Sequence, residues 1–229
     1  MIEIVYALEH KESPRDLVKS LKEEGIDAKL LREPSGTANL VIAWGKNVSG
    51  PAMNGDINRD KYSQLVKMRD AGVSVIEATK SLDEALEWLT QCPVFMREGY
   101  HERGNGLTVF LPEQGHSALC YAQKPSGVYY TKFSPSTEEW RFHIFEGLSI
   151  AAFVKQPCER TRIENLGAGS LSVDVLRATA KAAVAAVGYD FGAVDILGSG
   201  KVLEINTAPA LDREFVMDGW VKAIKGKLR

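Results

Sequence analysis

The stretch FGAVDILGSGKVLEIN, residues 191 to 206, is the part of the chain on which the rest of the reading turns. Two apolar runs flank Gly198-Ser199-Gly200-Lys201, a composition that signals a hairpin. With Ser199 and Gly200 as a two-residue turn, Gly198 pairs with Lys201 and Asp195 falls directly opposite Glu204. Paired side chains share a face, and Asn206, two residues beyond Glu204, joins it. Two carboxylates about 5 Å apart repel by roughly 3 kcal/mol at an effective dielectric of about 20. A divalent cation reverses that sign. Asp, Glu and Asn offer oxygen donors alone, a set suited to magnesium, with manganese as the substitute. Asp195, Glu204 and Asn206 are therefore the predicted metal ligands. The ordinary alternative is a solvated face with unrelated charges. Against it, Ile196, Leu203 and Ile205 are apolar and point the other way, so the hairpin packs on something. A slip of one residue in the turn would weaken this geometry.

Working outward, the first part of the chain alternates strand and helix signals, which suggests a small parallel sheet. Strands are predicted over residues 2–7, 28–31 and 40–44. A helix opening at Ser13-Pro14 carries Leu17, Val18 and Leu21 at helical spacing and stops at Gly25. Residues 45–57, rich in Gly, Asn and Pro, read as a connection between lobes. A helix from Asp60 to Ala71, a strand over 73–77 and a helix capped by Ser81, with Glu84 completing a capping box, follow. Then the pattern turns to β: 94–97, 107–111, 128–133, 139–145 and 148–154. An Ala-rich helix over 172–187, the hairpin strands and a short C-terminal helix close the chain. The fold class is α+β: a small α/β lobe at 1–54, and antiparallel-sheet lobes at 55–229. The second part divides into a Gly-rich-loop subdomain (about 60–130) and a metal-site subdomain (about 131–229), with the ligand cleft between lobes.

Composition limits the function classes. The 229 residues are 45% hydrophobic and 25% charged, with a formal net charge of −2. Such a balance provides no global field for nucleic acid or an anionic membrane. No apolar run approaches the ~20 residues of a bilayer span, and the acidic, strand-like N-terminus is not a signal peptide. Cys92, Cys120 and Cys158 fit neither a disulfide framework nor a zinc spacing, which points to reduced thiols in the cytoplasm. GSGK at 198–201 is a poor phosphate loop, because Val202 replaces the Ser/Thr and the first Gly is missing.

At GYDFGAVDIL (188–197) followed by VLEINTAPALD (202–212), the chain resembles the ATP-grasp superfamily. The likeness is nearest to its glutamate-ligase branch and to short ligases of phage genomes. It reaches over residues 55–212, with EWRFHIFEG (139–147), FMREGYHERGNGLTVF (95–110), YYTKF (129–133), INRDKYSQL (57–65) and RTRIENLGAG (160–169) in family order. As a strand, 139–145 puts Glu139, Arg141 and His143 on one face. The resemblance implies an ATP site in which Glu139 holds the ribose, Thr131, Lys132 and Phe133 line the adenine hinge, and Lys61, Arg97, Gly104 and Gly106 surround the phosphates. Arg141 and Arg97 are the implied catalytic cations, and Arg162 and Asn165 the implied substrate contacts. A structural ion pair between Glu139 and Arg141 and an exposed helical Lys61 are the plainer alternatives. Lys155 needs a bulge to reach the Arg141 face. Ala210 stands where many members have Gly, and the first lobe is short.

The resemblance implies ATP and magnesium as cofactors, and small-molecule or peptide carboxylate and amine substrates. It implies an ATP-dependent carbon–nitrogen ligase that makes an amide through an acyl phosphate, encoded by a phage and acting in a bacterial cytoplasm. The competing classes are a non-catalytic nucleotide-binding module and a kinase acting on a hydroxyl.

Overall fold

The computed structural model describes residues 1–7, 11–99, 106–124, 127–136, 138–155 and 170–228. Three sheets organise it. The first is parallel, with β1 (Ile2–Tyr6) between β2 (Ala28–Leu31) and β3 (Leu40–Trp44) and helix α1 (Glu12–Glu23) on one side. Leu17, Val18 and Leu21 of α1 meet Ile2, Ile4 and Tyr6 there. Ser13 does not cap α1. Its hydroxyl instead accepts the Leu211 N–H at 3.2 Å, and the helix begins one residue earlier.

The second sheet is antiparallel, in the order β11 (Val202–Asn206), β10 (Phe191–Leu197), β8 (Glu139–Phe145), β9 (Leu148–Lys155). One face packs Val194, Ile196, Val202, Ile205, Phe142 and Ile144 against α5 (Val173–Val187) and α2 (Lys61–Asp70). Asp60 caps α2, accepting the Tyr62 and Ser63 N–H groups, and Ser172 caps α5 through Val175. On the other face, α6 (Glu214–Lys227) covers one end. Trp220 lies edge-on to Trp44 (5.0 Å), Phe191 (5.3 Å) and Phe145 (5.6 Å). The C-terminal helix therefore shares one core with the N-terminal sheet, although the sequence groups it with the metal-site part. It is also fourteen residues long rather than short.

The third sheet runs β4 (Ala78–Thr79), β7 (Tyr129–Lys132), β5 (Val94–Arg97), β6 (Leu107–Phe110), backed by α3 (Leu82–Leu89) and α4 (Gly115–Tyr121). The strand expected at 73–77 is a correction. Val75 makes a single parallel bridge to Val202, through Val202 N–H to Ser74 O (2.9 Å) and Ile76 N–H to Val202 O (3.1 Å). This apolar run is a packed connector, and its burial in the α2/α5 core explains its composition. No helix among the described residues is long and apolar enough to cross a membrane.

Asn54, in the Gly- and Asn-rich stretch at 45–57, ties that stretch to the start of β10. Asn54, 3% exposed and at φ 53°, takes up a left-handed conformation that Asn tolerates better than most. Its amide donates to Phe191 O (2.8 Å) and accepts from the N–H groups of Asp190 (2.8 Å) and Phe191 (3.3 Å). Asn54→Ala removes all three bonds and leaves buried donors unpaired. The expected loss is about 3 kcal/mol, read as a thermal midpoint lower by roughly 6–12 °C. Asn54→Gly, which tolerates the φ but lacks the bonds, should recover only the backbone part.

Candidate active site

The turn between β10 and β11 differs from the expected one. The Leu197 N–H donates to Lys201 O (2.9 Å) and the Gly200 N–H to Leu197 O (2.8 Å), so the loop has three residues, with Gly200 left-handed at φ 87°. Ile196 then pairs with Val202, and a bulge between this pair and the next makes Leu203 the extra residue. The two irregularities cancel. From Asp195 onward the register is the predicted one, with Asp195 opposite Glu204 and Asn206 opposite Ala193. Ile196, Val202 and Ile205 are buried on the far side.

A charged row crosses the sheet at this level: Phe153 opposite Arg141, Arg141 opposite Asp195, Asp195 opposite Glu204. Beside it, Lys155 pairs with Glu139. Lys155 reaches this face because β9 carries a bulge at Ile150, between the pairs His143–Ala151 and Ile144–Ser149. Helix α6 packs against that bulge at Gly219, where a Cβ would stand 2.6 Å from Ile150 O. The same face thus grades from a hydrophobic end under α6 to a charged end beyond it.

Asp195 is 1% exposed. Arg141 grips it with two bonds of 2.7 Å, Nε to Oδ1 and Nη2 to Oδ2, and Lys155 Nζ lies 3.0 Å from Oδ2. Lys155 also bonds Glu139. The alternative pairing of Arg141 with Glu139 is thereby replaced: Arg141 binds Asp195, and Lys155 bridges both acids. Burial, then the neighbouring Asp195 charge, raises the Glu139 carboxyl, and Lys155 draws it back. Burial opposes the charges of Arg141 and Lys155, but their carboxylate partners more than offset it and both are held above their ordinary values.

On the far side of Asp195, Asn206 donates to Glu204 Oε1 at 2.9 Å. Lys61, the first residue of α2, donates to Ile205 O and approaches Asn206 Oδ1 at 3.4 Å. Lys61 is thus a half-buried neighbour of the carboxylate row rather than an exposed helical lysine. The third sheet contributes Arg97, whose Nε donates to Thr131 Oγ1 at 3.1 Å. Burial raises the Tyr129 phenol, which feels the charges of Arg97, Glu204 and Asp60, so the two sheets' polar ends approach one another there. Gly106 closes onto Glu98, accepting its N–H at 3.2 Å. Gly104, Arg162 and Asn165 lie outside the described residues, as does Cys158. The expected base-pairing hinge is altered. The N–H groups of Lys132 and Phe133 already donate to Glu77 O and Pro93 O, both at 3.0 Å, and the Lys132 ammonium pairs with Glu77. Thr131 is buried in the middle of the sheet. Those two backbone N–H groups are therefore already engaged within the protein.

Among the described residues no three His, Cys, Asp or Glu side chains form a metal cluster. Two carboxylates and an amide oxygen nonetheless fit a hard cation whose remaining ligands are water and phosphate. His143, predicted on this face, is buried under α6, where its Nδ1 accepts the Trp220 indole N–H at 3.1 Å. It belongs to the core.

The architecture is the ATP-grasp fold. The chain matches the ATP-grasp ligase PsnB, complexed with minimal precursor, Mg and ADP, at a TM-score of 0.71 and 14% identity, over 100% of this chain and 97% of that one. It matches a RimK domain ATP-grasp protein from Sphaerobacter thermophilus at 0.67 and 15%, over 99% and 100% of the two chains. D-cycloserine synthetase DcsG matches at 0.65 and 16%, over 100% of both. No family model and no curated protein matches the sequence. Identities of this order establish the fold, and the chemistry is read from this chain's own residues.

Burial, and secondarily the Arg141 charge, lowers His143 to about 3. In the unfolded chain it titrates near 6.5. The neutral imidazole's contribution is full above about pH 6.5 and is lost as pH falls toward 3. Acid denaturation of His143→Gln, followed by circular dichroism, should therefore be less steep than the parent's across that interval.

Proposed function

We propose that this chain is an ATP-dependent carboxylate–amine ligase using magnesium. The observation that carries the reading is the row Arg141–Asp195–Glu204, flanked by Lys155 and Lys61 at the polar end of an ATP-grasp sheet. Glu204, Asn206 and Asp195 would hold the metal, which screens the negative charge of the nucleotide phosphates. Arg141 and Lys155 are already ordered and charged before any ligand arrives, so little reorganisation accompanies phosphoryl transfer. A substrate carboxylate oxygen bonds to the γ-phosphorus as the bond to ADP breaks, giving an acyl phosphate. A neutral amine then attacks the acyl carbon, loses a proton and expels inorganic phosphate, leaving an amide. Positioning and charge supply the catalysis, and no side-chain nucleophile is needed. Solved proteins of this fold include a ligase complexed with a precursor peptide and AMPPNP and a macrocyclase bound with a precursor peptide, which supports small-molecule or peptide substrates.

Glu204→Gln keeps the acceptor for Asn206 and removes the charge opposed to Asp195. ATP turnover should vanish while the metal-free protein melts within about 2 °C of the parent. A large drop in melting temperature would make the pair structural. Arg141→Lys keeps the charge but loses the fork. Phosphate release with a working acceptor should fall tenfold or more, about 1.4 kcal/mol of transition-state stabilisation, while calorimetric ATP affinity barely changes. Equal losses in both would make Arg141 a ground-state clamp.

A further inference from the structure

Phe153 is the end of the charged row that the phosphoryl-transfer groups leave unused. It lies opposite Arg141 and two residues before Lys155 on the same face of β9. His143 stacks beside its ring at 6.1 Å and Phe215 meets it edge-on at 6.0 Å. Over the ring, 4.2 Å from its centroid, stands the guanidinium of Arg213, the residue immediately before α6. Arg213 is exposed, and among the described residues its guanidinium has no hydrogen-bond or ion-pair partner. The other cations here are engaged: Arg141 and Lys155 with Asp195 and Glu139, Lys61 with the end of β11, Arg97 with Thr131.

An arginine held over an aromatic ring still has N–H groups to offer, and the ring contact partly desolvates it and restricts its rotamers. Those groups match the two oxygens of a carboxylate. The start of α6 has no side-chain cap, so its first-turn N–H groups and dipole favour the same negative charge. Asp212 and Glu214 flank Arg213 in sequence and weaken the local field, which suits a singly charged planar anion better than a phosphate. The placement also separates two roles. A carboxylate that becomes an acyl phosphate belongs beside Arg141, where the phosphoryl group is held. Arg213 stands one side chain further out, and an anion bound there stays charged throughout.

Building on the ligase reading, we infer that Arg213 on its Phe153 shelf binds a free carboxylate of the amine substrate, which makes that substrate an amino acid or a peptide end rather than a simple amine. The test uses the full chain with magnesium and AMPPNP. Calorimetry compares L-alanine, L-glutamate and Ala-Ala with their C-terminal carboxamides. At least one acid should bind about tenfold tighter than its amide, the size expected of one charge-assisted contact. Arg213→Gln should bring that pair within about threefold, and Arg213→Lys should fall between. AMPPNP affinity and melting temperature should stay at parental values. The inference is overturned if no acid is preferred, if Arg213→Gln keeps the preference, or if it weakens AMPPNP binding. Failure of the ligase reading shows itself separately, as a parent chain that does not bind AMPPNP with magnesium. The acid–amide comparison, repeated without nucleotide, then decides the Arg213 site by the same criteria.

Discussion

Two parallel hydrogen bonds from Arg141 to Asp195 hold the charged row of the sheet together. Burial opposes the Arg141 charge, and the carboxylates around it, Asp195 foremost with Glu204 and Glu139 behind it, more than offset that. Removing one partner of such a pair typically costs 3–5 kcal/mol, since the other is left charged and unsolvated. The pair also clamps β8 to β10 at the level where Glu204 and Glu139 stand on either side. With Asp195 committed to two cations, Glu204 is the more accessible acid of the row, and so the better placed to meet an incoming ligand.

The register that creates this row comes from irregular strands. Leu203 is the extra residue on one edge of the sheet and Ile150 on the other. The first repairs a three-residue turn so that Glu204 faces Asp195. The second turns Lys155 onto the same face. A regular pleat in either place would flip the side chains beyond it and scatter the charges between a solvated face and the α5 core. Bulges at sheet edges commonly re-aim side chains, and here both aim inward to the same place.

How much of this is legible in the sequence follows from how local each cause is. The opposition of Asp195 and Glu204 can be read because sixteen contiguous residues determine it, although the turn that delivers it is not the simplest one. The strand bearing Glu139 and Arg141 is equally legible, since alternation needs no partner. Lys155 is not. Its bulge lies against Gly219, on a helix far along the chain, and no short window contains both. Residues 73–77 mislead for a related reason: an apolar run packed as a connector has the composition of a strand. Arg213 also escapes a reading by motif, because its significance comes from Phe153 beneath it. The resemblance implies an adenine hinge at residues 131–133, but it cannot say that Glu77 and Pro93 already hold the backbone N–H groups there.

The shared core under Trp220 has a consequence for how the molecule assembles. The N-terminal sheet precedes the other two along the chain, yet Trp44 meets Trp220 only when α6 emerges, after every described strand. Until then the nascent first lobe exposes an apolar surface, and its contacts are among the most distant in the chain, the kind whose loop-closure entropy slows folding. The central sheets can condense meanwhile. A chain interrupted before residue 214 would then have the strands of its charged row but not the helix that packs beside them.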